Sequence, residues 1–437
     1  MTTPEMTHEQ ATKLTPKGRK ALVAGGIGNT VEWVDWAIYT TFSSVFAVHF
    51  FPSEDPVAAL LATLAVFAVG FIMRPVGAAL LGAYADKHGR KKGLTLTIGL
   101  MAGASLVIGL TPDYSSIGIL APIILVLARM VQGLSAGGEF GAASAFMVES
   151  AAPRRRAFAG SWQQVSVGAG VLIASGIGAV ITSTLDSEAL DSWGWRLAFI
   201  IGAALGLFGL WLRASVEESD SFQNAKKERE AASAADRMSS FVQIFAKHPA
   251  AVARVFGITI AGTLLYYIWV SYLPTYAHVT TGLPLNQALT ANFIAMAYFI
   301  ALLPFAGILS DIVGRKPTMS AFAAGFLLLS FPMLNFMGNS FWGFLVIELI
   351  GVTLLLGYSA NCAVIMAEQF PPEVRATGIG LPYALAVAAF GGTAPYIITW
   401  MNEAGHGDKV WIYCAIAAAI GLVVYLTMPE TKGKKLA

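Results

Sequence analysis

Apolar runs long enough to cross a lipid bilayer recur along the whole of this 437-residue chain. A helix needs about 20 such residues to span the hydrocarbon layer, and a spanning helix satisfies its own backbone hydrogen bonds. Only 12% of the residues are charged, against roughly 25% in soluble domains, which excludes a water-soluble fold. The pattern predicts twelve spanning helices, at residues 21–49, 57–82, 93–111, 119–149, 159–183, 194–213, 252–277, 287–310, 317–337, 341–368, 377–401 and 410–429.

The basic residues give the predicted orientation of these helices. Nearly all of the 28 Lys and Arg residues fall in the N-terminal tail, in the loops after the even-numbered runs, or in the C-terminal tail. The opposite loops, such as FPSEDP and LDSEALDS, contain only Lys409. The positive-inside rule therefore places both termini in the cytoplasm, as an even number of spans requires. Because residues 1–20 are polar and have no signal-peptide pattern, we expect a multi-pass protein of a bacterial inner membrane.

A long polar segment divides six apolar runs from the other six. We predict a cytoplasmic tail at 1–20, a six-helix bundle at 21–213, a cytoplasmic linker at 214–250, a second bundle at 251–430 and a tail at 431–437. The sequence GAYADKHGRKK follows the second run, and GILSDIVGRK follows the eighth, 225 residues later. Duplicated halves with the substrate bound between them are a known transporter architecture.

The repeated loop motif and a second repeated signal predict a gate on the cytoplasmic side. The fourth and tenth runs both end in Glu, with Pro four residues and Arg seven residues further on. Glycine allows close helix approach, aspartate caps a helix terminus, and arginine pairs with carboxylates. The alternative is a set of solvated basic loops. The predicted gating residues are Asp86, Arg90, Glu149, Arg156, Asp311, Arg315, Glu368 and Arg375.

These motifs, with GNTVEWVDWAIY, ARMVQGLSAGGEFGAASAFMVES and WGWRLAF, resemble the major facilitator superfamily and, within it, the metabolite:proton symporter family. The resemblance implies an all-α membrane fold of twelve transmembrane helices in two pseudo-symmetric six-helix bundles. It also implies transport of metabolites such as α-ketoglutarate, shikimate, citrate, proline or betaine. Three features depart from the family pattern: Ile312 stands where a basic residue is common, Val34 and Trp36 flank Asp35 where aromatic residues are common at both places, and Glu348 is not expected.

Ionisable residues inside the predicted spans are costly, so each is a candidate for function. On the first helix, Glu32 and Asp35 share one polar and aromatic face with Tyr39. We predict that Asp35 and Glu139 couple transport to protons, with Glu32 as a third acidic group beside an arginine. The alternative is a set of buried ion pairs that only fix helix packing. The ionisable residues inside the spans are Glu32, Asp35, Arg74, Arg129, Glu139, Arg196 and Glu348.

The same reasoning predicts where a substrate binds. Arg74 and Arg129 would supply positive charge for an anion, although Arg74 precedes Pro75 and could instead satisfy freed backbone carbonyls. Arg196 is assigned a structural role at a helix corner. Aromatic and amide side chains of the second half would add hydrogen bonds. The predicted substrate-binding residues are Arg74, Arg129, Tyr39, Gln132, Tyr266, Tyr267, Tyr358 and Asn361.

The sequence favours a transporter over the other classes of protein. We predict proton-coupled symport of a small organic anion, such as a di- or tricarboxylate, by a monomer with no cofactor and no nucleic-acid partner. The runner-up is a symporter of a zwitterionic osmolyte such as proline or betaine, although no long tail follows the last helix. No nucleophile or metal motif indicates an enzyme, and Cys362 and Cys414 are expected to be small buried residues without a disulfide.

Overall fold

The computed structural model describes residues 16–433 except 89, 138, 150, 153, 215–243 and 372–373. The side chains of Asp86, Arg90 and Glu139 lie outside the described part, as does most of the predicted linker. The described residues form helices and no strands. The helices are α1 Pro16–Phe50, α2 Pro56–His88, α3 Arg90–Leu110, α4 Leu120–Ala136 with Glu139–Glu149, α5 Arg156–Thr184, α6 Trp195–Ala214, α7 Pro249–Tyr266 with Leu273–Thr281, α8 Leu285–Val313, α9 Arg315–Asn335, α10 Phe341–Ser359 with Cys362–Ala367, α11 Arg375–Ala386 with Ala394–Met401, and α12 Val410–Thr427.

Length and composition support the membrane assignment of these helices. Within the described residues, eight stretches are long and apolar enough to cross a membrane, and one of them joins α11 and α12. Parts of α3 and α4 add two shorter apolar helices. Large apolar side chains such as Leu328 and Trp342 are exposed on the outside of the bundle. An exposed apolar surface of this extent fits contact with lipid.

The two halves repeat the same helix pairings, as their duplicated motifs predict. In the first half α1 packs on α5, α2 on α4 and α3 on α6. In the second half α7 packs on α11, α8 on α10 and α9 on α12. The halves meet mainly where α5 lies along α8, with further contacts of α1 with α7 and of α2 and α4 with α11. The bundle boundaries at residues 213 and 251 stay predictions.

Several helices are interrupted at sites that a spacing argument does not locate. In α7, a π-helical segment at Tyr267–Tyr272 separates the two α-helical parts, and Pro274 follows directly. In α11, a π-helical segment at Val387–Gly391 precedes the part that begins at Ala394, with Pro395 in its first turn. Proline lacks the N–H that continues a helical ladder, and π segments are frequent at functional sites. By contrast, α8 continues through Pro304.

We use "linker end" for the end of the bundle where α6 stops and α7 starts, and "opposite end" for the other. At the linker end, Glu430 after α12 caps the start of α9: its carboxylate accepts hydrogen bonds from the backbone N–H groups of Arg315 (3.1 Å) and Lys316 (3.0 Å). The backbone N–H groups of Thr431 and Lys432 also donate to it, at 2.9 Å each. Nothing in the local sequence pattern predicts this cap, since its two sides lie more than 100 residues apart.

The Glu430 cap predicts a pH-dependent contribution to stability. Burial raises the pKa of this carboxyl, but the backbone donors of Lys432, Lys316, Arg315 and Thr431 outweigh burial and hold its pKa below the usual value. The ionised cap therefore stabilises the fold above the unfolded pKa of about 4.3, and this stability is lost as pH falls through the folded pKa.

We expect Glu430→Ala to lower the unfolding free energy by about 1 kcal/mol at pH 7, in the range of other helix caps. The change can be measured by thermal unfolding of the detergent-solubilised protein at pH 7 and pH 4. The difference in unfolding temperature between the wild type and the variant should be smaller at pH 4 than at pH 7. The Glu430→Gln variant, which keeps a carbonyl acceptor, should fall between the two. Equal unfolding temperatures at pH 7 would contradict the assigned cap.

Candidate functional site

Close packing of α2 against α4 places two arginines next to each other in the first half. A Cβ built at Gly133 would lie 1.9 Å from the carbonyl oxygen of Gly70, and one at Gly77 would lie 1.9 Å from that of Leu134. Only glycine allows such an approach of two backbones, as small residues do in many membrane helix pairs. Arg74 on α2 and Arg129 on α4 therefore project from helices in direct contact.

Arg129 is fully buried between aromatic rings. Its guanidinium carbon lies 4.2 Å from the ring centre of Trp36 and 4.2 Å from that of Tyr39. Its Nη1 donates to Gln132 Oε1 at 2.7 Å, and Gln132 Nε2 donates to Ser105 at 3.0 Å. Its Nε and Nη2 have no hydrogen-bond partner among the described residues. The cation is thus held in place by rings and an amide, with donors left for another group.

Arg74 is in a similar position. It is 6% exposed, and its guanidinium carbon lies 4.4 Å from the ring centre of Trp36 and 4.3 Å from that of Phe71. Its Nε and Nη2 also have no partner within the described part of the chain. The sequence left open that Arg74 satisfies backbone carbonyls freed by Pro75. These two nitrogens donate to no such carbonyl, so the structure does not support that structural role for them. Both arginines lie on Trp36 and keep unused donors.

The second half closes this site through two tyrosines of α7. The ring of Tyr267 lies 5.0 Å from Phe71 and 5.8 Å from Trp33, and the ring of Tyr266 lies 6.1 Å from Trp33. The buried hydroxyl group of Tyr266 has no hydrogen-bond partner in the described residues, and the buried hydroxyl group of Tyr267 interacts with Arg74. They sit where α7 changes from α-helix to π-helix. We call the region formed by Trp33, Trp36, Phe71, Arg74, Arg129, Tyr266 and Tyr267 the arginine box.

Asp35 faces a different space from the arginine box. It is 3% exposed, neither carboxylate oxygen has a hydrogen-bond partner in the described residues, and it interacts electrostatically with Arg129. It lines a small, partly enclosed cavity of about 20 Å³ inside the first half, formed by α1, α3, α4 and α6. Glu32, Thr97 and Ser105 also line this cavity. Both acids of α1 thus line this cavity, while Asp35 also acts electrostatically on Arg129 and Glu32 on Tyr267.

Four other predicted substrate residues make packing or hydrogen-bond contacts with their neighbours. Tyr39 donates its hydroxyl to Thr63 O at 2.9 Å and offers its ring to Arg129. Gln132 holds Arg129, as described above. Tyr358 is buried within the second half, where its ring packs against Gly262 and Phe322. These side chains contribute to packing around the site.

Asn361 is also engaged within the second half. Its Oδ1 accepts from Ser310, and its Nδ2 donates to Thr318 at 3.0 Å and to Gly357 O at 2.7 Å. With its amide used, Asn361 offers nothing to a substrate here. Arg196, assigned a structural role from the sequence, donates to Thr111 O and to the carboxylate of Asp113. These contacts tie α6 to the turn between α3 and α4.

The predicted gating residues that the structure describes meet at the linker end, and several contacts cross between the halves. Arg375 Nη1 of the second half lies 2.5 Å from Glu149 Oε1 of the first. Arg156 of the first half lies 3.9 Å from Glu368 of the second. The repeated Glu and Arg signals thus pair crosswise, each arginine with the glutamate of the other half. Arg315 adds a 3.6 Å contact to Glu368 within the second half.

Asp311 makes a further contact between the halves at this end. Its carboxylate accepts from the backbone N–H groups of Ala157 (3.1 Å) and Phe158 (3.0 Å), so it caps the first turn of α5. Arg315 Nη1 holds the same carboxylate at 2.8 Å. Gly307, one turn earlier, lies so close that a Cβ there would be 2.8 Å from Ala157 O. The second copy of the loop motif therefore joins the halves directly.

Removing this cap should open the linker end. We expect Asp311→Ala to destabilise the closed arrangement, relative to the open one, by about 1–2 kcal/mol. This corresponds to a roughly tenfold rise in the population that is open at the linker end. Cys362 reports it, because it is 1% exposed at this interface and accepts a hydrogen bond from Gln164 of the first half at 3.2 Å. In a Cys414→Ser background, maleimide labelling of Cys362 should rise about tenfold. Asp311→Asn, which keeps an acceptor, should label less, and unchanged labelling in Asp311→Ala would contradict this role.

The prediction from the sequence did not include two residues of the arginine box, Trp33 and Phe71. Trp33 and Phe71 carry no charge and read as ordinary apolar residues of a span. The available signal was the spacing of Phe67, Phe71 and Arg74 on α2, which places two rings and one cation on one helix face. No group of His, Cys, Asp or Glu that could hold a metal occurs among the residues described.

The comparisons with known proteins identify the family. The family model described as "Major Facilitator Superfamily" matches residues 26–381 and again 286–437. The chain belongs to the Major Facilitator Superfamily. It is 37% identical over 416 residues to an α-ketoglutarate permease of Escherichia coli, covering 95% of this chain and 94% of that protein. This relative supports the metabolite:proton symporter group that the motifs indicated.

Other relatives and a solved structure extend this result. The chain is 34% identical to a citrate-proton symporter of Klebsiella pneumoniae, over 91% of this chain and 88% of that one. It is 33% identical to a glycine betaine/proline/ectoine/pipecolic acid transporter of Dickeya dadantii, over 96% and 84%. The xylose transporter of Escherichia coli in a partially occluded inward-open conformation has the same fold, with TM-score 0.73, 20% identity and coverage of 96% and 99%. The chain is a membrane transporter and not an enzyme.

Proposed function

We propose that this chain is a proton-coupled symporter that imports a small organic anion, such as a di- or tricarboxylate, by alternating access. The observation that carries the proposal is the arginine box. It contains two buried guanidinium groups whose Nε and Nη2 donors have no partner among the described residues. The protein would act as a monomer in a bacterial inner membrane, with both termini in the cytoplasm.

The chemistry of the box favours a carboxylate ligand. A buried cation without a partner is costly, and a guanidinium matches a carboxylate through two parallel hydrogen bonds. Arg74 and Arg129 both lie within 4.4 Å of the centre of the Trp36 ring and act on each other electrostatically, so we propose that one small dianion bridges them. The hydroxyl groups of Tyr266 and Tyr267 would add donors from the second half. A ligand bound in this way would contact both halves, as alternating access requires.

Asp35 is proposed to carry the coupled proton. The carboxylate of Asp35 interacts electrostatically with Arg129. An anion bound to Arg129 would weaken this interaction and so make the ionised form of Asp35 less favourable. The cavity it lines lies within the first half, between α1, α3, α4 and α6. Its volume of about 20 Å³ is enough for one water molecule, since a cavity needs about 10–15 Å³ to hold one. The proton would then leave through the first half while the substrate leaves between the halves.

Proton coupling also makes the import of an anion energetically possible. A membrane potential that is negative inside opposes each net negative charge by about 2.3 kcal/mol per 100 mV. Protons that enter with the anion remove this opposition and add the energy of the pH gradient. A symporter for a dianion therefore needs at least one proton-binding group near the path, and Asp35 with Glu32 and Glu139 is the candidate set.

The alternative is a symporter for a zwitterion such as betaine. The betaine transporter among the relatives and the ring-lined box both favour it, because quaternary ammonium groups bind to aromatic faces. In this chain, however, Arg74 and Arg129 already occupy the faces of Trp36, Tyr39 and Phe71. A ligand cation would be repelled there, so the anion is the stronger proposal.

Uptake into proteoliposomes with an imposed pH gradient tests the proposal. Labelled di- and tricarboxylates should accumulate when the outside is acidic, and unlabelled proline or betaine should not compete. Accumulation that ignores the gradient would indicate a uniporter or an exchanger. If betaine competes for uptake and the carboxylates do not, the zwitterion symporter would be the correct function and the anion symporter would be wrong.

A further inference from the structure

A buried carboxyl group in the second half is joined to the first half by a chain of hydrogen bonds. Ser175 Oγ on α5 donates to Asn292 Oδ1 on α8 at 2.5 Å. Asn292 Nδ2 donates to Glu348 Oε1 on α10 at 3.3 Å. The chain therefore crosses the α5–α8 interface, the main contact between the halves. The position of Asn292 depends on a partner in each half.

Glu348 has an environment suited to a neutral carboxyl group. It is fully buried, and its second oxygen, Oε2, has no hydrogen-bond partner in the described residues. Asn292 is a neutral donor and does not compensate a negative charge. A buried charge with a single neutral hydrogen bond costs far more than the neutral acid in the same place. The surroundings in this closed arrangement therefore favour the neutral form of Glu348.

No charged group on the helices packed against α10 compensates Glu348 among the described residues. Arg254 is exposed and lies in the first turns of α7 at the linker end. The remaining ionisable groups on α7, α8 and α9 include several with partners elsewhere. These are His278 with Leu283 O (2.8 Å), Tyr272 with Thr399 (2.7 Å), Tyr298 with Thr353 on α10 (3.1 Å), and Asp311 with Arg315 (2.8 Å).

The hydrogen-bond chain lies toward the opposite end of the bundle. Ser175 is nine residues from the end of α5, and Asn292 and Glu348 are each seven residues from the start of their helices. At 1.5 Å per residue this depth is about 10–14 Å. The α5–α8 contact is tight here, since a Cβ at Gly178 would lie 2.9 Å from Leu289. Opening at the opposite end must part Ser175 from Asn292.

We propose that Glu348 is a second proton-binding site, which must be protonated for α5 and α8 to close at Ser175 and Asn292. The proposal rests on the alternating-access part of the proposed function and not on Asp35. When the halves part at this level, water reaches the carboxyl and it ionises. An ionised Glu348 then opposes closure, because closing would bury its charge.

Glu348 differs in one respect from Asp35, the residue proposed to carry the transported proton. In this proposal water reaches Glu348 when the halves part at the opposite end, so its proton returns to the side from which it came. It therefore sets the pH range in which the opposite end closes, and it leaves the number of transported protons unchanged. A residue that only fixed helix packing would not give closure any dependence on pH.

Cysteine labelling at Leu289 tests the proposal without any substrate. Leu289 is 1% exposed at the α5–α8 contact, and Leu289→Cys is made with Cys362→Ser and Cys414→Ser. A membrane-impermeant thiosulfonate is added from outside between pH 5.5 and 8.5, and rates are divided by those of an exposed control in the loop between α9 and α10, Asn339→Cys. We expect the corrected rate to rise about tenfold per pH unit once Glu348 begins to ionise.

Variants of Glu348 separate titration from packing. Glu348→Gln stays neutral and keeps an acceptor for Asn292, so its corrected labelling should be low and independent of pH. Glu348→Asp should restore the dependence. A corrected rate in the Leu289→Cys protein that does not change with pH overturns the proposal, even where Glu348→Gln fails to fold. An unchanged pH dependence in Glu348→Gln also overturns it, and failure of proton-driven uptake would instead count against the proposed function.

Discussion

Replacing Arg129 with glutamine should weaken binding of the transported anion by at least about 100-fold. The change removes the free Nε and Nη2 donors of a buried cation. Hydrogen bonds to charged groups contribute about 1.5–3 kcal/mol each, so the loss of two is on the order of 3 kcal/mol. Each 1.4 kcal/mol is tenfold in affinity. Isothermal titration with the carboxylate found in the uptake assay measures the change.

Two control variants test whether the loss of affinity is due to the guanidinium group of Arg129. Arg129→Lys keeps the charge but loses the planar fork, so it should recover only part of the affinity. Arg196→Gln removes an arginine of the same half whose contacts are to Thr111 and Asp113, and it should leave affinity unchanged. The unfolding temperature of each variant separates lost binding from lost folding. A folded Arg129→Gln protein with wild-type affinity would remove the arginine box from the proposal.

Replacing Asp35 with asparagine should abolish accumulation driven by a pH gradient. Asparagine resembles the protonated acid, so the side chain can no longer release a proton in each cycle. One transported proton supplies about 1.4 kcal/mol per pH unit, which is a tenfold accumulation ratio. In Asp35→Asn this ratio should fall to one. Labelled uptake into proteoliposomes with an acidic exterior gives the ratio directly.

Exchange of labelled for unlabelled substrate is the control for this loss. It needs no net proton movement, so Asp35→Asn should still catalyse it. Glu32→Gln changes the other acid of the same cavity and shows whether the role belongs to Asp35 alone. Proton-driven accumulation at the wild-type level in Asp35→Asn would show that Asp35 is not the coupling group.

Much of the fold was predictable because it depends on local properties of the sequence. The length of each apolar run set the number of spans, and the repeated loop motif indicated two similar halves. The cost of charge in a membrane singled out Arg74, Arg129, Asp35 and Glu348 without any knowledge of their neighbours. The interruption of α7 at Tyr267–Tyr272 and the cap by Glu430 were not predicted. Both depend on contacts between helices.

The sequence by itself determined which residues lie in the membrane and which of them are too costly to be there without a purpose. Only the tertiary structure decided what each one faces. It turned Asp35 toward a cavity in the first half, placed Arg129 between two rings, and paired Glu149 with an arginine 226 residues away. The reason is geometric. Periodicity along a helix gives the relative directions of its own side chains, whereas partners on other helices depend on how closely and at what rotation the helices pack.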